Sequence, residues 1–154
     1  MLRTIAAEET AHLIPLLQEL ADAHNACSLH GKGTFPRRDT AEAAAELAEA
    51  IQEGQAAAAV IEENGKWQGF CAVLFHGKAG SIRYLVVQKE YRRQGLGRTL
   101  MDWAMDTLRQ KGIHAIEVKV IAGNLARVLY EAYGFQIDAV LLRKETDLAS
   151  SKKP

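Results

Sequence analysis

The sequence predicts a mixed α/β (α+β) fold, a central mixed, mostly antiparallel sheet of about six to seven strands flanked by about four helices. Asn64-Gly65 separates two strand-like runs, and this dipeptide is a strong signal for a tight β-hairpin. A strand at residues 82–87, a helix at 95–111 and a strand at 115–121 follow in order. Because two strands joined through a helix are usually parallel, the sheet is expected to be mixed.

The N-terminal region is predicted to hold a short strand at residues 2–5 and then a helix at residues 8–23. Apolar residues at positions 13, 16, 17 and 20 lie on one face of that helix. Pro15 lies inside the pattern and has no N–H to donate, so we expect a kink there or a later start of the helix.

Residues 24–38 lack periodicity and contain two glycines and a proline, so they are predicted to form a loop. A second helix is predicted to begin at Asp39 or Thr40, where Glu42 is placed for a capping box. Gly54 marks the position before which this helix should end.

Further elements follow the second helix. Strands are predicted at residues 56–61 and 69–75, a short helix at 125–133 and a last strand at 135–142. Alternation along the strand at 82–87 predicts two faces. One face would carry Arg83, Leu85 and Val87, and the other Ile82, Tyr84 and Val86.

Size and composition predict a single domain at residues 1–147 and a disordered tail at 148–154. No apolar run approaches the roughly 18 residues of a membrane-spanning helix, and the acids Glu8 and Glu9 are unlike a signal peptide. Cys27 and Cys71 are too few for a disulfide framework and lack metal-ligand spacing. We therefore expect a cytoplasmic protein with reduced thiols, no membrane partner and no metal.

The segment Tyr91-Arg92-Arg93-Gln94-Gly95-Leu96-Gly97-Arg98 lies between the strand at 82–87 and the following helix. Positions 83–98 hold 5 cations and 1 anion, in a chain of zero net charge. Two glycines allow a tight turn and a close approach by a ligand, and a helix N-terminus offers unpaired N–H groups. This segment is predicted to bind a multiply charged phosphate ligand. A P-loop is excluded because no Gly-Lys-Ser/Thr follows, and a dinucleotide-binding motif would need glycine in place of Leu100.

Two motifs together resemble the GNAT superfamily of N-acetyltransferases, over roughly residues 1–145. The first is Arg92-Arg93-Gln94-Gly95-Leu96-Gly97, similar to the family's Arg/Gln-x-x-Gly-x-Gly/Ala loop. The second comprises Asn124, Ala126 and Leu129-Tyr130-Glu131-Ala132-Tyr133-Gly134-Phe135, similar to the family's Asn, Ala and Leu-Tyr-x-x-x-Gly-Phe. Asn124 precedes Tyr130 by six residues, where the family usually has seven.

The resemblance implies acetyl-CoA as cosubstrate. It implies that the backbone of Leu85, Val86 and Val87 pairs with the pantetheine arm, and that main-chain N–H groups of residues 93–98 hold the pyrophosphate. The implied cofactor-binding residues are Leu85, Val86, Val87, Arg92, Arg93, Gln94, Gly95, Leu96, Gly97, Arg98, Asn124 and Tyr130. Arginine is independently suited to phosphate, because its forked donors match phosphate oxygens.

Acyl transfer from a thioester to an amine needs a neutral amine, a polarised carbonyl and a stabilised thiolate. By resemblance, Tyr130 is the expected acid for the leaving thiolate, since a phenol can donate a proton, and an N–H near Val87 is the expected oxyanion donor. Packing in the core is the alternative for Tyr130. The general base is open, and the candidates are Glu117, which interrupts an apolar strand pattern, His24, His30 or a relayed water. The alternative for Glu117 is a side chain that faces solvent with Lys119 as its charged neighbour.

The acceptor is expected to be an amine of a small molecule or a peptide. Residues 1–63 carry 4 Lys and Arg against 11 Asp and Glu, and with Glu19 and Asp22 this suggests a cationic amine. Solvated helix faces are the other reading of these acids. A non-catalytic acyl-CoA sensor is the alternative to an enzyme, and nucleic acid is disfavoured because the basic residues concentrate at one loop. Exposed strand edges make a homodimer possible.

Overall fold

The computed structural model describes residues 1–144 and residue 146. Within them, five strands form one sheet in the order β1-β2-β3-β4-β5. Strands β1 to β4 are antiparallel to their neighbours, and β5 runs parallel to β4, which confirms the mixed, mostly antiparallel sheet. The bounds are β1 (Leu2–Thr4), β2 (Ala56–Glu63), β3 (Lys66–His76), β4 (Ala79–Val87) and β5 (Ala115–Val118).

The described residues also contain four α-helices, as predicted. They are α1 (Ile14–Cys27), α2 (Thr40–Gln52), α3 (Leu96–Gln110) and α4 (Ala126–Ala132). A 3₁₀ helix, Ala7–Leu13, precedes α1, so the helix predicted over 8–23 is in fact two elements. Pro15 lies in the first turn of α1, where its missing N–H breaks no helical bond. The later start is thus the outcome that Pro15 produces.

Two local signals in the sequence fold as predicted. The carboxylate of Asp39 accepts a hydrogen bond of 3.0 Å from the backbone N–H of Glu42, which caps the start of α2. Asn64 and Gly65, between β2 and β3, have φ angles of 53° and 76°, which are the left-handed values that a two-residue type I′ hairpin requires.

The two faces of the sheet build separate hydrophobic cores. Helices α1 and α2 cover one face, and α3 and α4 cover the other. The α1/α2 core includes Leu13, Leu16, Leu17, Ala44, Leu47, Val60, Phe70 and Val86. The α3/α4 core includes Cys71, Val73, Ile82, Leu100, Met101, Ala104, Leu108 and Tyr130.

A β-bulge corrects the predicted faces of β4. Tyr84 lies opposite Ala72 and Ile82 opposite Val73, so Arg83 is an extra residue without a partner on β3. The bulge reverses the alternation, and Ile82 therefore packs in the α3/α4 core with Leu85, and not beside Tyr84. Strict alternation was wrong here because it assumes an uninterrupted strand.

The predicted last strand at residues 135–142 is absent from the structure. This segment has no regular secondary structure, and Ile137, Val140, Leu141 and Leu142 are exposed. The sheet thus has five strands in the described residues and fewer than the six to seven predicted, because an apolar pattern reports strand propensity but supplies no neighbouring edge. The tail predicted at 148–154 lies outside the described residues. Of the helices described, none is long and apolar enough to cross a membrane.

Candidate active site

Strands β4 and β5 diverge, and their divergence opens a cleft in the sheet. Their pairing ends at Ile82 and Val118. Strand β4 continues to Val87 and stays paired with β3 on its other edge. Among the described residues, the edge of β4 that carries Leu85, Val86 and Val87 has no strand beside it. We call the gap between this edge and the chain after Val118 the β4–β5 cleft; its open edge can accept an extended ligand as an added strand.

The glycine loop, residues 92–98, lies between β4 and α3. Arg93 and Gly95 have φ angles of 65° and 80°, and Gly95 is the residue that precedes the first turn of α3. The first backbone bond of α3 runs from the N–H of Thr99 to the carbonyl of Gly95, at 3.2 Å. Within the described part of the chain, the backbone N–H groups of residues 93–98 have no protein acceptor. This loop therefore presents a run of free donors at a helix N-terminus, which suits an anion.

Arg92 and Glu19 hold the glycine loop in place. The guanidinium of Arg92 donates to the carbonyl of Val87 at 2.9 Å and to the carboxylate of Glu19 at 3.2 Å. The same carboxylate oxygen accepts the backbone N–H of Lys89, also at 3.2 Å. The side chain of Arg92 thus bonds to the protein, and Glu19, which the sequence suggested as an acid near the acceptor, lies against the glycine loop.

Tyr130, on α4, is 7% exposed, and its ring contacts Phe135 at a centroid distance of 5.9 Å. Burial, with a smaller contribution from Cys71, raises the pKa of the Tyr130 phenol above its usual value. Within the described residues, no hydrogen bond to the Tyr130 hydroxyl is found. Every polar side-chain atom there that is fully buried does have a hydrogen-bond partner, so the Tyr130 hydroxyl is not among the fully buried atoms. The hydroxyl therefore reaches solvent, keeps its proton near neutral pH and is free to donate it.

Glu117 lies on β5 directly across from Ser81 of β4. Its neighbours Ile116 and Val118 pack against the α3/α4 core, so alternation places the Glu117 side chain on the α1/α2 face of the sheet. The side chain is exposed, and no ion pair with Lys119 is found. Among the described residues, Glu117 therefore has no bonded partner and lies beside the β4–β5 cleft.

His24 lies in the last turn of α1 and is half-buried. The centroid of its ring lies 5.0 Å from the centroid of the Phe35 ring, in an edge-to-face arrangement. Burial, together with the nearby charge of Arg37, lowers the pKa of the His24 imidazole below its usual value. Burial thus favours the neutral form of the His24 imidazole. His30, in contrast, is exposed.

Asn124 lies just before the helix that carries Tyr130 and bonds to its first residue. Its side-chain oxygen accepts the backbone N–H of Ala126 at 2.9 Å, at the start of α4. The amide NH₂ of Asn124 has no partner among the described residues. That group is the part of the side chain still free to bind a ligand.

The α1–α2 loop, residues 28–39, borders the cleft on the side of β5. The N–H of Leu29 donates to the carbonyl of Ala122 at 3.1 Å. A Cβ at Gly123 would lie 2.2 Å from the carbonyl oxygen of Cys27, and Gly123 has a φ of 99°, so glycine alone fits this contact. This packing sets the loop beside the chain that leaves β5.

Sequence reasoning missed the structural roles of two residues that shape these loops. Glu19 contacts partners about seventy positions away, and no local pattern signals such a contact. Asn25 organises the α1–α2 loop: its side-chain oxygen accepts the N–H groups of Gly33 and Phe35, and its amide donates to the Phe35 carbonyl. A polar residue just before a loop rich in glycine was the signal available for Asn25.

Comparison with known proteins supports the resemblance seen in the sequence. The profile of the acetyltransferase (GNAT) family matches residues 17–135. Among enzymes, the [ribosomal protein bS18]-alanine N-acetyltransferase of Escherichia coli strain K12 is 33% identical over 76 residues, which are 49% of this chain and 51% of that enzyme. The chain thus spans about half the length of the curated relatives it matches.

Solved structures share the fold at low identity. The PaiA N-acetyltransferase of Thermoplasma acidophilum, in complex with coenzyme A, has a TM-score of 0.75, 17% identity and 90% coverage of both chains. A predicted acetyltransferase of Clostridium acetobutylicum with acetyl-CoA has a TM-score of 0.76 and 20% identity, covering 94% of this chain and 95% of that one. With a family profile that matches most of its length and this fold, the chain belongs to the GNAT family of acetyltransferases.

Proposed function

We propose that this protein is an acetyl-CoA-dependent N-acetyltransferase, which transfers the acetyl group to a primary amine of a small molecule or peptide by direct attack in a ternary complex. The observation that carries the proposal is the run of free N–H groups at residues 93–98, next to the open edge of β4. A diphosphate fits the first feature and an extended pantetheine arm fits the second.

In this proposal the donor is bound mainly by backbone. The N–H groups of the glycine loop hold the pyrophosphate, while Leu85, Val86 and Val87 align the pantetheine arm. Arg93 and Arg98 are exposed, and neither has an acid partner among the described residues, so their side chains add charge at the same place. Arg92 contributes through the loop itself, since its guanidinium already bonds to Val87 and Glu19.

The chemical step divides between two sides of the cleft. The amine nitrogen attacks the thioester carbon, a C–N bond forms, the C–S bond breaks and the thiolate takes the proton of the Tyr130 hydroxyl. A backbone N–H near Val87 stabilises the oxyanion. The proton lost by the amine passes to a base, and Glu117 and His24 are the candidates whose surroundings support that role. Glu117 is free beside the cleft, and His24 has a lowered pKa.

The acceptor is proposed to be an amine, with its identity open between small molecules and peptides. The matched Escherichia coli enzyme acts on the alanine of ribosomal protein bS18, which makes an N-terminal peptide amine one candidate. The panel of acceptors should therefore include short peptides that begin with alanine, free amino acids and diamines.

Titration calorimetry with coenzyme A and with acetyl-CoA tests donor binding. We expect both to bind, and we expect S-acetyl-pantetheine, which lacks the diphosphate, to bind at least about tenfold more weakly because it cannot use the free N–H groups. The absence of heat with both CoA compounds would refute the proposal.

Release of the CoA thiol, measured with each amine of the panel, tests catalysis. We expect release that depends on the amine. Binding of acetyl-CoA without release from any amine would favour the non-catalytic acyl-CoA sensor.

A further inference from the structure

Arg83 marks the point where β4 and β5 diverge. It is the bulged residue of β4, directly after Ile82, the last residue of β4 that pairs with β5. Its guanidinium carbon lies 4.4 Å from the ring centre of Tyr84. The Tyr84 ring in turn contacts Phe70, at 5.8 Å, in the α1/α2 core. The charge of Arg83 is therefore on the α1/α2 face of the cleft, the face on which Glu117 also lies.

The guanidinium of Arg83 has N–H donors that bond to no acid of the described residues. Arg83 is exposed, and no carboxylate of the described residues pairs with it. Stacking on an aromatic ring fixes the plane of a guanidinium but leaves its N–H edge free to bind a carboxylate with two parallel hydrogen bonds. An arginine stacked in this way, with no acid beside it, is prepared for a ligand that brings the acid.

Other charges around this face are also mostly positive. Lys119 comes directly after the end of β5, is exposed and has no ion pair within the described residues. In the α1–α2 loop, Lys32 and Arg37 likewise have no acid partner among the residues that the structure describes, and Arg37 stacks on Phe35 at 4.3 Å.

The acids that might have balanced these cations are engaged elsewhere. The carboxylate of Asp39 caps α2, and that of Glu19 bonds to the glycine loop. Asp22 accepts a hydrogen bond of 3.1 Å from Gln18 on the exposed side of α1. Among the described residues, Glu117 has no ion pair beside the cleft, and one such acid is what the base role requires. The three acids Asp39, Glu19 and Asp22 thus have partners other than Arg83.

We infer that the acceptor is an amine that also carries a carboxylate, and that Arg83 binds this carboxylate and determines specificity. The inference rests on the proposed acetyltransferase function and replaces the cationic amine that the sequence suggested. An amino acid or a peptide with an acidic residue near its free amine has the required chemistry.

The test compares matched acceptors and matched variants. The acceptors are β-alanine and β-alaninamide, and two dipeptides, Ala-Asp amide and Ala-Asn amide, which differ in one carboxylate. The variants are Arg83→Gln, which removes the charge, Arg83→Lys, which keeps it, and Lys66→Gln, which removes a cation from the distant β2–β3 hairpin. Dividing each variant's kcat/KM by that of the wild type cancels the intrinsic reactivity of each amine.

For the carboxylate acceptors, Arg83→Gln should lower kcat/KM by at least about tenfold, chiefly through KM, whereas the amide twins should change less than about twofold. Arg83→Lys should recover part of the loss, and Lys66→Gln should affect no acceptor. An equal effect of Arg83→Gln on both members of each pair, or a wild-type preference for the amides, would overturn the inference while leaving acetyl transfer intact. A failure to bind acetyl-CoA at all would instead refute the proposed function.

Discussion

The glycine loop and the α1–α2 loop border the same cleft but are built in opposite ways. Among the described residues, the backbone N–H groups of the glycine loop have no protein partners over residues 93–98. In the α1–α2 loop several backbone N–H groups are bonded within the protein: Asn25 accepts those of Gly33 and Phe35, and the hydroxyl of Ser28 accepts that of Gly31 at 2.8 Å. The glycine loop thus offers a continuous run of backbone donors to a ligand, and the α1–α2 loop does not.

This difference indicates how each loop can vary. Backbone N–H groups can bind a phosphate in any protein whose loop has suitable φ angles. The glycine loop is therefore constrained in its conformation more than in the identity of its side chains. The α1–α2 loop, whose backbone is partly bonded internally, can select ligands chiefly through its exposed side chains, among them Lys32 and Arg37. These two constructions favour a constant phosphate-bearing ligand at the glycine loop and a variable ligand at the α1–α2 loop.

Tyr130→Phe should give the largest effect, because Tyr130 belongs to neither loop. It should lower kcat by roughly 10- to 1,000-fold, with KM for acetyl-CoA little changed, since the phenol acts on the leaving thiolate and not on donor binding. Steady-state kinetics and calorimetry on the same variant measure the two quantities. Near-wild-type turnover would reduce Tyr130 to a packing residue.

Gly95→Ala should damage the glycine loop specifically. Alanine at a φ of 80° is strained, so the loop should relax and the N–H groups should lose their alignment. We expect roughly a tenfold weaker affinity for acetyl-CoA. Gly112→Ala is the matched control, because Gly112 has a φ of 73° at the other end of α3. Both variants should lose similar stability, about 1 kcal/mol, and equal losses of affinity would contradict the role of the loop.

Glu19→Gln asks whether this acid serves the glycine loop or the acceptor. Loss of the charged hydrogen bonds to Lys89 and Arg92 should raise KM for acetyl-CoA by roughly three- to tenfold and leave kcat nearly unchanged. The control is Glu46→Gln on α2, which breaks the exposed ion pair between Glu46 and Arg38. This variant should change neither KM for acetyl-CoA nor kcat. A change confined to KM of the amine would place Glu19 on the acceptor side instead.

The smallest expected effect concerns His24 and the pH dependence of stability. Because burial lowers the pKa of His24 in the folded state, the unfolded chain binds this proton first as the pH falls. The contribution of His24 is fully present above the unfolded pKa of about 6.5 and is lost as the pH drops below it. The difference between the urea unfolding midpoints at pH 7.5 and pH 5.5 should therefore be smaller in His24→Asn than in the wild type. An unchanged difference would show that His24 is not desolvated.

Most of the fold was predicted from local signals in the sequence. Asn64-Gly65 and the Asp39 cap depend on a few neighbouring residues, and both are found where the sequence placed them. The elements from α2 to α4 also follow in the predicted order. The bulge at Arg83 escaped prediction because a bulge is decided by pairing with β3 and not by the strand itself. The same reason explains the missing strand at 135–142, because an apolar pattern does not determine which edge, if any, a segment pairs with, and this segment pairs with no strand in the described structure.

By itself, the sequence determined the mixed sheet, the four helices and the motif of the glycine loop, because hydrophobic period, turn residues and glycine conformations are local properties of the chain. Only the tertiary structure decided which charges meet. It brought Glu19 to Arg92, stacked Arg83 on Tyr84 with no acid of the described residues as its partner, and exposed Glu117 beside the cleft. Electrostatic partners are set by distance in space, and residues far apart in the chain become neighbours only once the sheet and helices have packed.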